Sequence, residues 1–298
     1  MECVKTKFSI KDLENLSGVK AHTIRIWEKR YDLLAPERTD TNIRTYDTRS
    51  LQKLLNITLL YKNGYKISKI AEIPEEKIHI LVREIATEKN IHNQALNSLK
   101  LSMLNFDYTL FYNTYNKLLA EKSFREIFYD TFIPLLNELG VLWHTQTINP
   151  AHEHFISSLI KQKIILNTER IQSIEKSNKT KTFVLYLPEN EIHEIGLLYL
   201  NYELQLKGYH TIYLGQTIPI DSLTNVHNFF PELYFISYFT VTPIEDKLED
   251  YLDEFNKQIG FNDNHLWLLG YQAKFVKNTK NYKNLKVFKS IIDLVKEI

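Results

Sequence analysis

Two short windows of the chain hold the residue types that could do chemistry. From Leu142 to His154 the sequence reads Leu-Trp-His-Thr-Gln-Thr-Ile-Asn-Pro-Ala-His-Glu-His, and from Glu191 to Gly196 it reads Glu-Ile-His-Glu-Ile-Gly. Four of the ten histidines fall in these windows, each window has a carboxylate, and the first has a Trp. Neutral imidazole donates a nitrogen to a metal, and a neighbouring carboxylate fixes its tautomer. An indole offers a flat apolar cover. The combination points to a ligand that is flat, apolar and metal-bearing. A single histidine at a helix start more often only caps or packs, so the windows gain weight from the elements that position them.

Composition bounds those elements. At 298 residues, 44% hydrophobic and 24% charged, the chain has room for two or three soluble globular domains. A net charge of +1 excludes a general attraction to nucleic acid. Residues 1–70, however, carry 14 Lys and Arg against 8 Asp and Glu, a net of +6, which is the footprint of a local nucleic-acid binder. Cys3 is the single cysteine, so an intrachain disulfide and a cysteine-based zinc site are excluded and a reducing cytoplasm is expected. No apolar run approaches the roughly 18–20 residues of a membrane span, and no signal-peptide core is present. With 8 Gly and 8 Pro, linkers must be short.

Residues 1–75 predict a compact DNA-binding domain. Ser9-Ile-Lys-Asp12 has the form of a capping box, and its helix buries Ile10, Leu13 and Leu16. Ser17-Gly18-Val19 makes a tight turn before a second helix, about His22 to Arg30. This is a helix–turn–helix, whose second helix enters the major groove. Arg25, Lys29 and Arg30 lie on that helix, and Arg38, Asn42, Arg44 and Tyr46 follow on an extended wing. Arg forks onto phosphates and guanine edges, and Asn and Tyr donate to phosphates. A further helix runs from Asp47 to Gly64.

Residues 76–170 repeat apolar positions at three and four in about four helices, predicting a four-helix bundle. Glu169 to Lys181 is polar and reads as a linker. Residues 180–298 alternate strand and helix. The strand candidates are Phe183–Leu187, Thr211–Leu214, Tyr234–Ser237, Leu266–Leu269 and Lys286–Phe288, with a helix at Ile192–Lys207 after the first. Five such units predict a flavodoxin-like, Rossmann-type parallel α/β domain, whose ligands sit at the carboxyl ends of the strands. The overall expectation is a multidomain chain, α and α/β.

The N-terminal motifs Phe8-Ser-Ile-Lys-Asp-Leu13, Thr23-Ile-Arg-Ile-Trp-Glu28 and Arg44-Thr-Tyr46 resemble the MerR family of transcription regulators. Glu191-x-His193-x-x-Gly196 resembles the Asp-x-His-x-x-Gly signature of cobalamin-binding domains, and Tyr213-Leu-Gly-Gln-Thr-Ile-Pro219 resembles their second strand and loop. Trp143, nine residues and then Glu153-His154 resemble the signature of light-responsive MerR-type repressors, the CarH/LitR group. The resemblance implies a non-enzymatic repressor that binds operator DNA as a dimer or tetramer and carries adenosylcobalamin between bundle and α/β domain. By motif position it implies His193 as the lower cobalt ligand. It implies Trp143, Glu153 and His154 around the adenosyl group, and His144 on cobalt after photolysis.

The match departs from the signature in the lower half. Glu191 replaces Asp, and its extra methylene predicts a lost or displaced partner for His193. The family's Ser-x-Leu reads Ser237-Tyr-Phe239, and its Gly-Gly reads Gly270-Tyr271. In the family those glycines make room for the nucleotide tail. Tyr271 either fills that room or points away. Two alternatives stay open: a cofactor-independent MerR-type regulator with a degenerate domain, to which these departures point, and a methyltransferase-like cobalamin module, which shares the pairing of bundle and α/β domain.

Overall fold

The computed structural model describes residues 7–298 apart from 40, 85–87, 145–146, 173–175, 231, 262, 278 and 280–281. The chain divides into two compact units, Met1–Ser158 and Leu159–Ile298.

The first unit opens with β1 (Lys7–Phe8), which pairs antiparallel with β3 (Arg44–Asp47), itself paired with β2 (Glu37–Arg38). Helix α1 (Ile10–Ser17) begins at the expected capping box, with Ser9 and Asp12 satisfying each other's amides. It ends at Gly18, whose φ of 73° suits a residue without a side chain. Helix α2 (Ala21–Tyr31) buries Ile24 and Trp27. Asp47 caps α3 (Thr48–Lys62) by accepting from the Ser50 amide, and Leu51, Leu54 and Leu55 form its inner face. Short helices α4 (Ile67–Ala71) and α5 (Glu75–Glu84) follow.

The bundle helices are α6 (Glu88–Asn105), α7 (Tyr108–Glu121), α8 (Phe124–Ile127), α9 (Ile133–His144) and α10 (Pro150–Ile171). A π-helical turn, Phe128–Phe132, joins α8 to α9, so the third expected helix is one rod with a wide turn inside it. The wide turn leaves both Phe128 and Phe132 buried. Phe132 stacks against Phe111 and Tyr115. Each such ring contributes about 1.5–3 kcal/mol by burial.

The second unit is built on five parallel strands, β4 (Asn178–Tyr186), β5 (Tyr209–Gly215), β6 (Tyr234–Tyr238), β7 (His265–Leu269) and β8 (Leu285–Val287). Their order is β5-β4-β6-β7-β8, the flavodoxin-like order expected. Helix α11 (Ile195–Leu206) packs beside α14 (Ile291–Glu297), and α12 (Ile220–His227) beside α13 (Leu248–Gln258). Under α12 and α13 the core gathers Tyr186, Phe235, Phe239, Leu223, Leu252 and Phe255.

Two sequence expectations shift. The polar stretch read as a linker over 169–181 is shorter, because α10 runs to Ile171 and β4 already starts at Asn178, where it pairs with Tyr209. The helix expected from Ile192 begins at Ile195. The Glu191 carboxylate takes the amides of Ile192 and His193, which holds those residues in a turn ahead of the helix.

Candidate functional site

The loop from β4 to α11 places His193 at the carboxyl edge of the sheet, with its side chain about half exposed. Its Nδ1 lies 2.6 Å from Glu191 Oε1, which also accepts the amides of Ile192 and His193 at 2.9 and 3.0 Å. Glu191 Oε2 accepts three successive amides of the turn after β6, from Thr240, Val241 and Thr242, at 3.0, 2.6 and 3.1 Å. The expectation of a lost partner for His193 is therefore corrected. The extra methylene lets one carboxylate reach both the imidazole and a second loop. Glu191 is fully buried. Burial alone would raise its pKa, but the hydrogen bonds from His193, Val241 and Thr242 win and hold the carboxyl at about 2.

Among the described residues no three His, Cys, Asp or Glu side chains gather to hold a metal ion. A carboxylate on one ring nitrogen of His193 fixes the tautomer.

The neighbouring loop ties down as well. Glu194 pairs with Lys161 at 3.0 Å and accepts from the Tyr213 hydroxyl at 3.0 Å. Burial and the Glu194 charge raise the Tyr213 pKa, so the phenol stays protonated.

The other lower-half residues split. Ser237 is buried, and its hydroxyl donates to the Tyr186 carbonyl at 3.0 Å. Gly270 has φ 102°, and a side chain there would collide with the Phe239 backbone. Tyr271 points away: it is 59% exposed, with its ring edge against Phe275 and the Lys274 ammonium over it. Gly196 opens α11, and a Cβ on it would lie 2.7 Å from the ring of Tyr238.

In the first unit, Glu153 and His154 sit on the first turn of α10. Glu153 accepts from Ser157 at 2.6 Å, and His154 Nδ1 lies 3.5 Å from Glu153, with the His154 side chain 71% exposed. His152, from the same window, is a core residue stacked on Phe106. Trp143 and His144 end α9, and their side chains lie outside the described residues.

The residues expected to meet DNA lie on α2 and the wing. Arg25, Lys29 and Arg30 are exposed along α2. Arg38 is exposed and bonds the Asn42 side chain at 2.5 Å across the wing, where Asn42 takes φ 63°. Arg44 and Tyr46 behave differently. Arg44 Nε pairs with Glu28 at 3.1 Å, and the Tyr46 hydroxyl donates to the other Glu28 oxygen. Tyr46 is 1% exposed, which corrects its assignment as a phosphate contact: it anchors the wing to α2.

Residues 8–77 match the MerR HTH family regulatory proteins, and residues 95–166 match the B12 binding domain. The first match falls on the helix–turn–helix and wing, and the second on the helical bundle. It is similar to the HTH-type transcriptional repressor CarH of Myxococcus xanthus, 26% identical over 70% of each chain. It is also similar to the repressor CarA of the same organism, 24% identical over 72% of this chain and 70% of the relative. In fold it is like the monomethylamine corrinoid protein of Methanosarcina barkeri, with a TM-score of 0.58, 12% identity, and coverage of 69% of this chain and 97% of that one. Among the described residues no helix is long and apolar enough to cross a membrane.

Three parts of these sites escaped sequence reasoning. Glu28 organises the wing, and its signal was present as a carboxylate in the Thr23–Glu28 motif. Lys161 and Glu194 pair across distant segments, which no spacing reveals. Tyr238 fills the space over Gly196, and no motif position pointed to it.

Proposed function

We propose that the chain is a transcriptional repressor that binds a pseudo-palindromic operator as a homo-oligomer, dimer or tetramer, and that adenosylcobalamin governs that binding. The observation that carries the reading is the Glu191–His193 pair at the sheet's carboxyl edge, in a chain that also matches a DNA-binding and a B12-binding family. His193 would hold cobalt from below, with Glu191 fixing its tautomer. Trp143, Glu153 and His154 would pack around the upper ligand, and His144 would take its place once that ligand is gone. The cofactor supplies a cobalt–carbon bond that visible light breaks. On the DNA side, Arg25, Lys29, Arg30 and Arg38 would contact the duplex, with Asn42, Arg44 and Tyr46 shaping the wing. A ligand-stabilised oligomer raises operator affinity through paired half-sites.

Size-exclusion chromatography and operator mobility shift, run in the dark and after illumination with adenosylcobalamin bound, test this reading. The assembly and the shifted band should both be lost in light. Identical elution and identical shift with cofactor still bound would contradict the control by light.

A cofactor-independent regulator is the second reading. The aromatic filling of the sheet edge around Ser237 favours it. Retention of operator binding by protein free of corrinoid, unchanged by added cofactor, would establish it.

A further inference from the structure

If His193 takes the lower face of cobalt, the cofactor's own benzimidazole must leave the metal. It stays tethered by its nucleotide loop, and a flat apolar heterocycle of that size needs apolar shelter close to His193. At the carboxyl edge of β4 and β6 aromatic side chains stand on both faces of the sheet. On the α11 face the ring of Tyr238 lies within 2.7 Å of where a Cβ on Gly196 would be, so the gap left by that glycine belongs to the protein. On the opposite face Tyr186 and Tyr251 join hydroxyls at 2.9 Å. Phe239 meets Tyr251 edge-on at 5.2 Å, and Phe239 is fully buried. The space beside Gly270 is taken by the Phe239 backbone. Tyr238 itself is half-buried in that position.

We infer that Tyr238 sets the class of corrinoid this chain accepts: its ring closes the α/β core to the nucleotide tail, so the chain recognises the corrin ring and leaves the tail outside. Tail-less corrinoids are then ligands as good as complete cobalamins. The inference rests on the proposed role of His193.

The test compares adenosylcobalamin with adenosylcobinamide, which share ring and upper ligand and differ only in the tail. Equilibrium dialysis of the full chain in the dark, read by corrinoid absorbance, should give dissociation constants within about threefold of each other. Tyr238→Ala opens the space over Gly196 and should shift the ratio at least tenfold toward adenosylcobalamin. A tenfold or greater preference for adenosylcobalamin in the unsubstituted chain overturns the inference while leaving the cofactor reading in place. An unshifted ratio in a folded Tyr238→Ala protein also overturns it. Retention of neither corrinoid sinks both this inference and the reading beneath it.

Discussion

Glu191 accepts from His193 Nδ1 at 2.6 Å with one carboxylate oxygen and gathers the amides of Thr240, Val241 and Thr242 with the other. The imidazole and the turn after β6 are therefore held by a single buried group. The Glu side chain is long enough to span both on this backbone.

Replacing Glu191 tests that coupling. Glu191→Ala leaves buried amides without an acceptor and should cost about 3 kcal/mol of stability. Glu191→Asp keeps the charge but gives up one of the two sets of bonds, and should cost less. Urea unfolding followed by circular dichroism measures both. Equal losses for the two variants would show that the reach of the side chain is irrelevant.

Tyr46 offers a second test, because it is buried against Glu28 rather than presented to DNA. Tyr46→Phe removes one hydrogen bond and should lower stability by about 1 kcal/mol. Operator affinity should fall through a loosened wing, while the slope of affinity against salt stays unchanged. A flatter slope would return Tyr46 to the phosphate contacts.

Arg25 and Arg30 should behave in the opposite way. They are exposed on α2, and Arg→Ala at a phosphate contact releases about one fewer counterion. Each single variant should flatten the salt slope by about one and weaken binding to operator and unrelated DNA alike. Filter binding across a salt series decides this. A variant that changes only the choice of sequence would instead be a base-reading residue.

The α/β unit should show a histidine-linked acid response. His265 stacks on Tyr234 at 4.0 Å, and burial lowers its pKa against the opposing pull of Glu232. The folded state thus disfavours the protonated ring. Its contribution to stability is level above the ordinary imidazole pKa of about 6.5 and falls as pH drops below that value toward the lowered one. Urea midpoints at about pH 8 and about pH 5.5 should differ less in His265→Gln than in the unsubstituted chain. An unchanged difference would remove His265 from the acid response.

Much of this was legible in the residues. Ser9, Asp12 and Gly18 mark α1 because capping and left-handed turns are local chemistry. The five strands could be read from short apolar runs between turns, and their order followed from parallel crossovers. The motif around His193 gave its position but not its support. What Glu191 reaches depends on a turn some fifty residues further along, brought near only by the pairing of β4 with β6. The anchoring of Tyr46 was hidden for the same reason: sequence shows an Arg-x-Tyr wing but not the carboxylate on α2 beneath it. The π turn at Phe128 was invisible because helical periodicity tolerates one extra residue without a break in the apolar pattern.

In the proposed function His193 carries the metal of a bound corrinoid. Electron paramagnetic resonance of the full chain loaded with a cobalt(II) corrinoid reads the axial nitrogen directly. Histidine enriched in the heavy nitrogen isotope should change the superhyperfine triplet into a doublet, and His193→Ala should abolish the effect. A spectrum indifferent to the histidine label, with corrinoid bound, would contradict the account.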